Sequence, residues 1–375
     1  GETTFKLLGI NFDVDLDNIV NINYNDKIIQ IKNIIKQWSK RNITVIGRIT
    51  VIKTLVLPIL NHLIMSLPNP SNSVFQKIND IFYSFVWNSP IHRVKKDILI
   101  KEYLEGGLKM IDLYSFTMAL KSSWIRRIFQ RDNKWQSILM SDIDKNKLFN
   151  CGVQYIKQAS LYIKNSFWKD VFRAWEMITD KERNMDYEYF LSSPIWFNNM
   201  IRIGNKPVFY QHWFNHGLQY VNDVIDEHGC FISLELLQQC YDINVNFLNY
   251  MSVISAIKKA ANNYKKGSYK LCCPFIPACL QVFFKSRKGT KDMYKILISN
   301  KVTPTGQLKW SEILGEDLIW KHIFKLPFTV TVNTKLQWLQ YRINHRILAT
   351  NKFLCKIKLI DNPLCTFCKL EDETV

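Results

Sequence analysis

The sequence predicts a mainly α-helical protein. Apolar residues recur at helical spacing over several long segments, whereas residues 5–14 are the stretch that looks like a short strand or hairpin arm, with Gly9 at a turn or close approach. Hydrophobic residues make up 47% of the 375 residues and aromatic residues 13%. This composition excludes a disordered chain, and the length is sufficient for two or three domains with substantial cores.

The clearest helical pattern, from residue 24 to residue 57, predicts two helices joined by a polar turn. The apolar stripe of the first helix consists of Tyr24, Ile28, Ile31, Ile35 and Trp38. That of the second helix consists of Val45, Ile49, Ile52 and Val56. Thr44 is the predicted N-cap of the second helix, because a threonine hydroxyl can accept a hydrogen bond from the first turn. Pro58 is expected to end or kink this helix.

Basic residues follow both predicted helices. Lys32, Lys36 and Lys40 recur every fourth residue and therefore line up beside the first apolar stripe. Arg41 lies in the turn, and Arg48 and Lys53 flank the stripe of the second helix. One interpretation is that these six residues bind a nucleic-acid backbone. The alternative is a pair of core helices with a solvated lysine edge, in which Arg48 has a structural role.

The charge of the whole chain favours a polyanionic partner. Lys and Arg total 50 against 32 Asp and Glu, which gives a formal charge of +18 and a pI near 9.4. Such an excess suits nucleic acid first and an anionic membrane surface second. No apolar run approaches the roughly 20 residues of a membrane helix, and the N-terminus lacks the pattern of a signal peptide, so we expect no membrane association. The nine cysteines, an odd number, favour a reducing compartment, and we expect an intracellular protein of the nucleus and cytoplasm.

Further helices are predicted along the chain. One begins at Ser73 and ends at Trp87, and another spans residues 114–135, with Lys121 among the charged residues away from its apolar side. Residues 310–324 and 336–354 predict two more helices. Gly106 and Gly107, next to an apolar run, indicate a tight turn or a close approach of two backbone segments.

Residues 258–309 form a second basic segment, with eleven lysines and Arg287 against the single acid Asp292. Tyrosine and phenylalanine residues are interleaved with these charges, a composition that suits phosphate contact together with base stacking. We take Lys265, Lys266, Arg287 and Lys288 as its candidate nucleic-acid contacts. A solvated linker between domains is an equally good interpretation.

The sequence offers one candidate metal site and no catalytic site. Cys365 and Cys368 have the spacing of two ligands of a tetrahedral Zn²⁺, but a structural zinc site needs four ligands. Upstream, Cys355 and His345 are available in principle, although their spacing does not require them. We therefore predict an incomplete zinc site, the alternative being two unremarkable cysteines. There is no P-loop, no GxGxxG, GxSxG or HExxH motif, and no pair of aspartates placed to hold two Mg²⁺.

Several landmarks, taken in order, resemble one protein family, the polyprotein of non-long-terminal-repeat retrotransposons of the long-interspersed-element kind. They are the segments Leu7–Ile10, Gly47–Ile49, Leu57–Pro58, Phe85–Asn88, Gly106–Leu108 and Ile203–Pro207, the single residues Trp38, Lys53, Asp112 and Ala119, and the terminal Cys365–Cys368 pair followed by Glu373–Thr374. The similarity is most specific over residues 7–120.

The resemblance implies part of a right-hand polymerase. Residues 1–112 would be the end of the palm and the helical thumb of a reverse transcriptase, residues 113–285 a helical connector, and residues 286–375 a nucleic-acid-binding region with an incomplete Cys/His zinc knuckle. The family's catalytic aspartates, which hold Mg²⁺ in the palm, would lie upstream of residue 1. The knuckle's last His and Cys have no counterpart here.

The partners implied are RNA and an RNA–DNA hybrid, and we expect this chain to be inactive as a polymerase by itself. Other interpretations are a host-retained RNA-binding protein, a helical interaction protein, and a non-functional relic. The sequence contains no indication of the oligomeric state.

Overall fold

The computed structural model describes residues 4–15, 18–89, 92–130, 134–139, 143–182, 187–262, 289–299, 302–315 and 318–374. It is mainly helical, as predicted. The chain divides into two compact units. The first unit comprises Gly1–Met65, Pro70–Tyr114 and Ile298–Val375, and the second comprises Ser66–Asn69 and Ser115–Leu297. The three segments proposed from the sequence concern roles in a polymerase, and that division stays a prediction.

The first unit begins with a β-hairpin. Strands β1 (Thr4–Leu7) and β2 (Ile10–Asp13) pair antiparallel, as the sequence predicted for this stretch. Leu8 and Gly9 form the two-residue turn, both with positive φ, at 48° and 82°. Two left-handed residues give the turn the twist that matches its flanking strands.

Four helical segments follow the hairpin: α1 (Ile19–Ser39), α2 (Val45–Val51), α3 (Leu57–Ser66) and α4 (Asn72–Trp87). The predicted stripe of α1 is buried at Tyr24, Ile28 and Ile31 and half-buried at Ile35 and Trp38. Thr44 caps α2 as predicted, because its hydroxyl accepts the Gly47 N–H at 3.3 Å. The core of this part of the unit therefore lies between α1, α2 and α4.

Pro58 does not end the second helix, contrary to one of the two outcomes predicted for it. A π-helical segment, Ile52–Val56, joins α2 to α3, and the helix continues to Ser66. A proline lacks the N–H of the regular ladder and its ring crowds the preceding turn. The wider π-helical turn immediately before Pro58 is a common way for a helix to accommodate such a disruption.

The continuous helix Val45–Ser66 is long and apolar enough, by length and composition alone, to cross a membrane. The expectation that no apolar segment reaches this length was therefore wrong. One such helix is weak evidence for a membrane span, because a core helix passes the same test. Ile52, Val56 and Leu63 of this helix are completely buried within the protein.

After α4, the chain forms the short helix α5 (Lys96–Leu99) and a 3-10 turn at Tyr103–Glu105. The two glycines that follow behave as the sequence predicted. Gly106 has φ of 81°, and a Cβ on Gly107 would lie 2.0 Å from the carbonyl oxygen of Lys101. Any side chain at residue 107 would therefore collide with backbone.

Most of the second unit consists of helices around an aromatic core. Its helices are α6 (Leu113–Gln130), α7 (Lys134–Leu139), α8 (Lys145–Asn150), α9 (Val153–Tyr162), α10 (Ser166–Glu182), α11 (Tyr187–Leu191), α12 (Gln211–Asn215), α13 (Leu234–Tyr241) and α14 (Phe247–Ala261), with α15 (Thr290–Ile298) at its end. Strands β3 (Arg202–Ile203) and β4 (Lys206–Pro207) form a small antiparallel pair. Trp196 is completely buried, and its indole N–H donates to the Leu218 carbonyl at 2.6 Å.

The prediction for Lys121 in α6 was wrong. Instead of lying on the charged side of the helix, this residue is completely buried. Its ammonium group donates to the carbonyl of Leu67 and lies 3.9 Å from the ring centroid of Phe167. The apolar side had been assigned by Leu120, Trp124 and Ile128. Leu120 and Trp124 are only half-buried, whereas Ile125, one turn after Lys121, is buried.

The C-terminal segment returns to the first unit. It contains α16 (Thr305–Leu314), α17 (Trp320–Val330), α18 (Thr334–Asn344) and α19 (Asn351–Lys356). The sequence predicted continuous helices at 310–324 and 336–354, but Gly315 ends α16 with φ of 62° and a separate helix begins at Asn351.

Contacts of aromatic side chains join this segment to residues about 230 positions earlier in the chain. The rings of Tyr103 and Phe328 stack with centroids 3.9 Å apart. The Tyr341 hydroxyl donates to the Gly106 carbonyl at 3.2 Å. Helix α18 also contacts α2, so the N-terminal helices and the C-terminal helices share one core.

Candidate nucleic-acid interface

The predicted basic row, Lys32, Lys36 and Lys40, is exposed along one side of α1. With a rise of about 1.5 Å per residue, successive lysines are about 6 Å apart along the helix axis. The opposite side of α1 is fixed in the core by Tyr24 and Ile31. None of the ion pairs among the described residues involves these three lysines. The row therefore presents regularly spaced positive charge on a rigid support.

Arg41 extends the basic row at the end of α1. Its guanidinium lies over the indole ring of Trp38, 4.2 Å from the ring centroid. Arg41 is exposed and Trp38 is half-buried. Such a cation–π contact holds the guanidinium in a defined place while leaving its edge available for hydrogen bonds to an anion.

The geometry of Arg48 favours the structural interpretation over the phosphate-binding one. Its Nη1 donates to the Phe85 carbonyl at 2.8 Å, and its Nε donates to the Ile43 carbonyl at 3.3 Å. The Phe85 carbonyl lies in the last turn of α4, where a cation is favourable. Partial burial lowers the pKa of Arg48. The partners of this side chain are thus the backbone carbonyls of two different segments, which is a structural role.

Lys53 occupies the π-helical segment and is exposed. Its ammonium group donates to the Lys109 carbonyl at 3.3 Å. This contact ties the second helix to the segment that follows Gly107. Lys53 therefore has a structural contact in addition to any contact with a ligand.

A groove of about 650 Å³ lies between α1 and α4. Lys32 contributes to it from α1, and Lys77 and Asp80 contribute from α4. Polar side chains, including Ser39 and Asn88, make up much of the remaining wall. One end of the basic row therefore opens onto a polar groove that carries a net positive charge.

The cysteine pair lies in a hairpin-like turn near the C-terminus. Leu364 and Asp372 form an antiparallel bridge, and the Cys365 N–H donates to the Glu371 carbonyl at 2.7 Å. Hydrogen bonds from the N–H groups of Leu370 and Glu371 lower the pKa of the Cys368 thiol. Because the thiolate is the form that binds metals, this turn suits one half of a zinc site.

The described residues contain no group of three or more His, Cys, Asp or Glu side chains that could hold a metal ion. His345, named from the sequence as an available ligand, is buried between the rings of Phe324 and Tyr341, and burial lowers its pKa to about 4. The Cys355 thiol donates to the Asp361 carbonyl at 3.8 Å. The described donor set therefore fits two of the four positions of a zinc ion.

The second basic segment cannot be placed in the same way. Its candidate residues Lys265, Lys266, Arg287 and Lys288 lie outside the described residues. Their assignment, like the choice between a binding segment and a linker, stays a prediction.

A separate cluster of cations was not predicted as a site. Arg93 follows α4 and Arg342 lies in α18, so the two are 249 positions apart, yet both line one cavity of the first unit. No periodicity in the sequence could have paired them, because their proximity depends on the packing of α18 against α2.

A comparison with protein-family models finds no family model that matches this chain.

Proposed function

We propose that this chain is part of the RNA-directed DNA polymerase polyprotein of a non-long-terminal-repeat retrotransposon. Its first unit would bind template RNA and the RNA–DNA hybrid through their phosphates. The sequence landmarks resemble the thumb and C-terminal region of such proteins, and the chain carries a formal charge of +18. The polymerase chemistry and its Mg²⁺ ions would belong to a palm domain outside this sequence.

The observation that carries this proposal is the basic row on α1. A thumb must hold a template–primer of any sequence, so it needs contacts to phosphates and not to base edges. Lys32, Lys36 and Lys40 are exposed and point-like charges, and the helix that bears them is anchored by a buried apolar side. Arg41, held on Trp38, adds a planar donor at the end of the row.

The zinc proposal is narrower. Cys365 and Cys368 would supply two thiolate ligands, and the resemblance places a further His and Cys after Glu373–Thr374. When bound, zinc would tie this hairpin to the segment that supplies the other two ligands. The lowered pKa of Cys368 supports its role as a ligand.

A salt titration of binding to an RNA–DNA hybrid tests the main proposal. In wild type, log affinity should fall linearly with log salt, with a slope of about −0.7 to −0.9 per phosphate contact. Replacing Lys32, Lys36 and Lys40 together with alanine should flatten this slope by about two and weaken binding by roughly a hundredfold near 0.1 M salt.

The matched control replaces Lys321, Lys325 and Lys356 with alanine. These are also three exposed lysines on helices of the first unit, and their replacement removes the same charge. The control should change the slope little. Equal effects of both triple variants would mean that total charge matters and not the basic row. A steep salt dependence that neither variant changes would assign the binding site to residues 258–309 instead of the basic row. Absence of binding at low salt would overturn the proposal.

A further inference from the structure

A cavity of about 390 Å³ in the first unit has a strongly basic and aromatic lining. We call it the Trp338 pocket, and the lining side chains that matter are Arg48, Arg93, Lys335, Arg342, Trp87 and Trp338. They come from α2, from the end of α4 and the segment after it, and from α18. We propose that the Trp338 pocket binds one nucleotide of a single nucleic-acid strand that continues from the groove between α1 and α4.

The first argument is unbalanced charge. Among the described residues that line the Trp338 pocket, four carry a positive charge and none is an aspartate or glutamate. None of the four takes part in an ion pair among the described residues. Arg93 and Arg342 are close enough that the charge of Arg93 helps to lower the pKa of Arg342, after the larger effect of burial. A phosphate group in the pocket would relieve this repulsion and accept hydrogen bonds from the guanidinium groups of Arg93 and Arg342.

The second argument is the presence of unused donors. Trp87 is only 5% exposed, and its indole N–H has no acceptor within the described part of the chain. The Nε of Arg342 is likewise buried without a partner there. A buried donor without an acceptor is unfavourable by about 1–3 kcal/mol, so native structures seldom retain one without a reason. Both donors belong to side chains that line the same basic cavity, so an acceptor bound there would lie beside them.

The third argument is the size and aromatic character of the pocket. Its volume of about 390 Å³ is near the lower end of the range of roughly 300–1,000 Å³ for small-ligand sites. Trp338 is half-buried, and it stacks on Tyr341 with ring centroids 5.5 Å apart. A fixed, partly exposed indole beside cations is typical of sites that stack an unpaired base and hold its phosphate. Bases within a duplex are already stacked, so this combination favours a single strand.

The fourth argument is continuity with the groove that Lys32 lines. Asn88 contributes to the walls of both the groove and the Trp338 pocket. Phe85 lines the groove, and its carbonyl accepts a hydrogen bond from Arg48, which lines the pocket. A strand in the groove therefore reaches the pocket at the end of α4, where Asn88 adopts a left-handed conformation with φ of 51°.

This inference rests on the proposed function, and two probes separate the two. One is a blunt RNA–DNA hybrid, and the other is the same hybrid with a single-stranded RNA extension of about ten nucleotides. Fluorescence anisotropy with the whole chain measures both affinities. If wild type binds neither probe, the proposed function itself fails. If it binds both equally well, the pocket proposal alone is overturned.

The variant that removes charge from the pocket is Arg93→Gln with Lys335→Gln, both exposed positions at which folding should be unaffected. We expect affinity for the extended probe to fall about tenfold and affinity for the blunt probe to fall less than twofold. The salt slope for the extended probe should flatten by about 0.7 for each phosphate that the variant no longer binds. The control, Lys321→Gln with Lys325→Gln, removes the same charge from exposed positions of α17 and should change neither affinity by more than twofold.

The variant that removes stacking is Trp338→Leu. It should weaken binding of the extended probe by about fivefold to tenfold and leave the salt slope unchanged, because no cation is removed. Circular dichroism verifies that this variant remains folded, and unchanged binding of the blunt probe verifies that the basic row is intact. Equal losses of affinity on both probes in the charge variant, or full retention of the extended-probe preference in both variants, would overturn the proposal.

Discussion

Lys36 in α1 and Lys121 in α6 both accompany apolar helical patterns in the sequence, yet their environments are opposite. Lys36 is exposed in the basic row of the first unit. Lys121 is enclosed in the second unit beside Phe167, donates to the Leu67 carbonyl, and has its pKa lowered to about 7 by burial, an effect that Asp170 opposes. The net charge of the chain therefore exceeds the charge that is accessible to a partner.

The largest expected effect concerns the pH dependence of the second unit. Because the folded pKa of Lys121, about 7, lies below the usual 10.5, the unfolded chain binds more protons between these two values. The free energy of unfolding should therefore rise as pH increases from 7 to 10.5, by roughly 3–5 kcal/mol from this group alone. Below pH 7 that contribution is constant, since the lysine is charged in both states.

Lys121→Met isolates this contribution, since methionine has a similar length and does not titrate. Urea unfolding of wild type and variant at several pH values gives the difference curve, which cancels the titrating groups that do not interact with Lys121. Lys36→Met is the control, and its free energy of unfolding should change with pH in parallel with that of wild type. Parallel curves for Lys121→Met as well would mean that the buried amine keeps its ordinary pKa.

The next largest effect separates two arginines of the first unit. Arg48→Ala should lower the free energy of unfolding by about 2 kcal/mol, because the carbonyls of Phe85 and Ile43 lose their donor. Arg41→Ala should cost less than about 1 kcal/mol, because it removes only an exposed cation–π contact. Chemical denaturation measures both.

The loss of affinity for the RNA–DNA hybrid should rank the same two variants in the opposite order to their loss of stability. When each is measured under conditions where it is fully folded, Arg41→Ala should weaken binding more than Arg48→Ala. The opposite ranking would mean that Arg48 binds a phosphate and would weaken the structural interpretation of its hydrogen bonds.

The smallest expected effect concerns one helix N-cap in each unit, and it tests whether the two units unfold independently. Thr44 caps α2 in the first unit, and Ser233 caps α13 in the second by accepting the Leu236 N–H at 3.2 Å. Either residue replaced by alanine should destabilise its own helix by about 1 kcal/mol. Hydrogen exchange measured by mass spectrometry reports each helix separately. A cap substitution that increases exchange in both units alike would show that they unfold together.

The local features of the first unit could be predicted from the sequence. The hairpin at Gly9, the cap at Thr44, the buried side of α1 and the close approach at Gly107 depend on residues near one another in the chain. Their conformations follow from steric limits, hydrogen-bonding groups and helical periodicity. The exposure of Lys32, Lys36 and Lys40 follows from the same periodicity.

Features that depend on distant residues could not be predicted. The π-helical segment before Pro58 and the burial of Lys121 are determined by what packs against those helices. The Trp338 pocket requires α18 to lie beside α2, and nothing in the local sequence of Arg93 or Arg342 indicates that they meet. Periodicity identifies the apolar side of a helix, but it does not identify the element that covers it.

The amino-acid sequence is sufficient to predict the helical class, the excess of positive charge and the positions of the basic row, because each is a property of composition or of spacing within one element. Which of the cations remain accessible to a ligand depends instead on how the helices pack. Packing buries Lys121, gives Arg48 two backbone carbonyls as partners, and brings Arg93, Lys335 and Arg342 around one cavity. Desolvation and hydrogen bonding depend on neighbours in space, and those neighbours come from segments far apart in the chain.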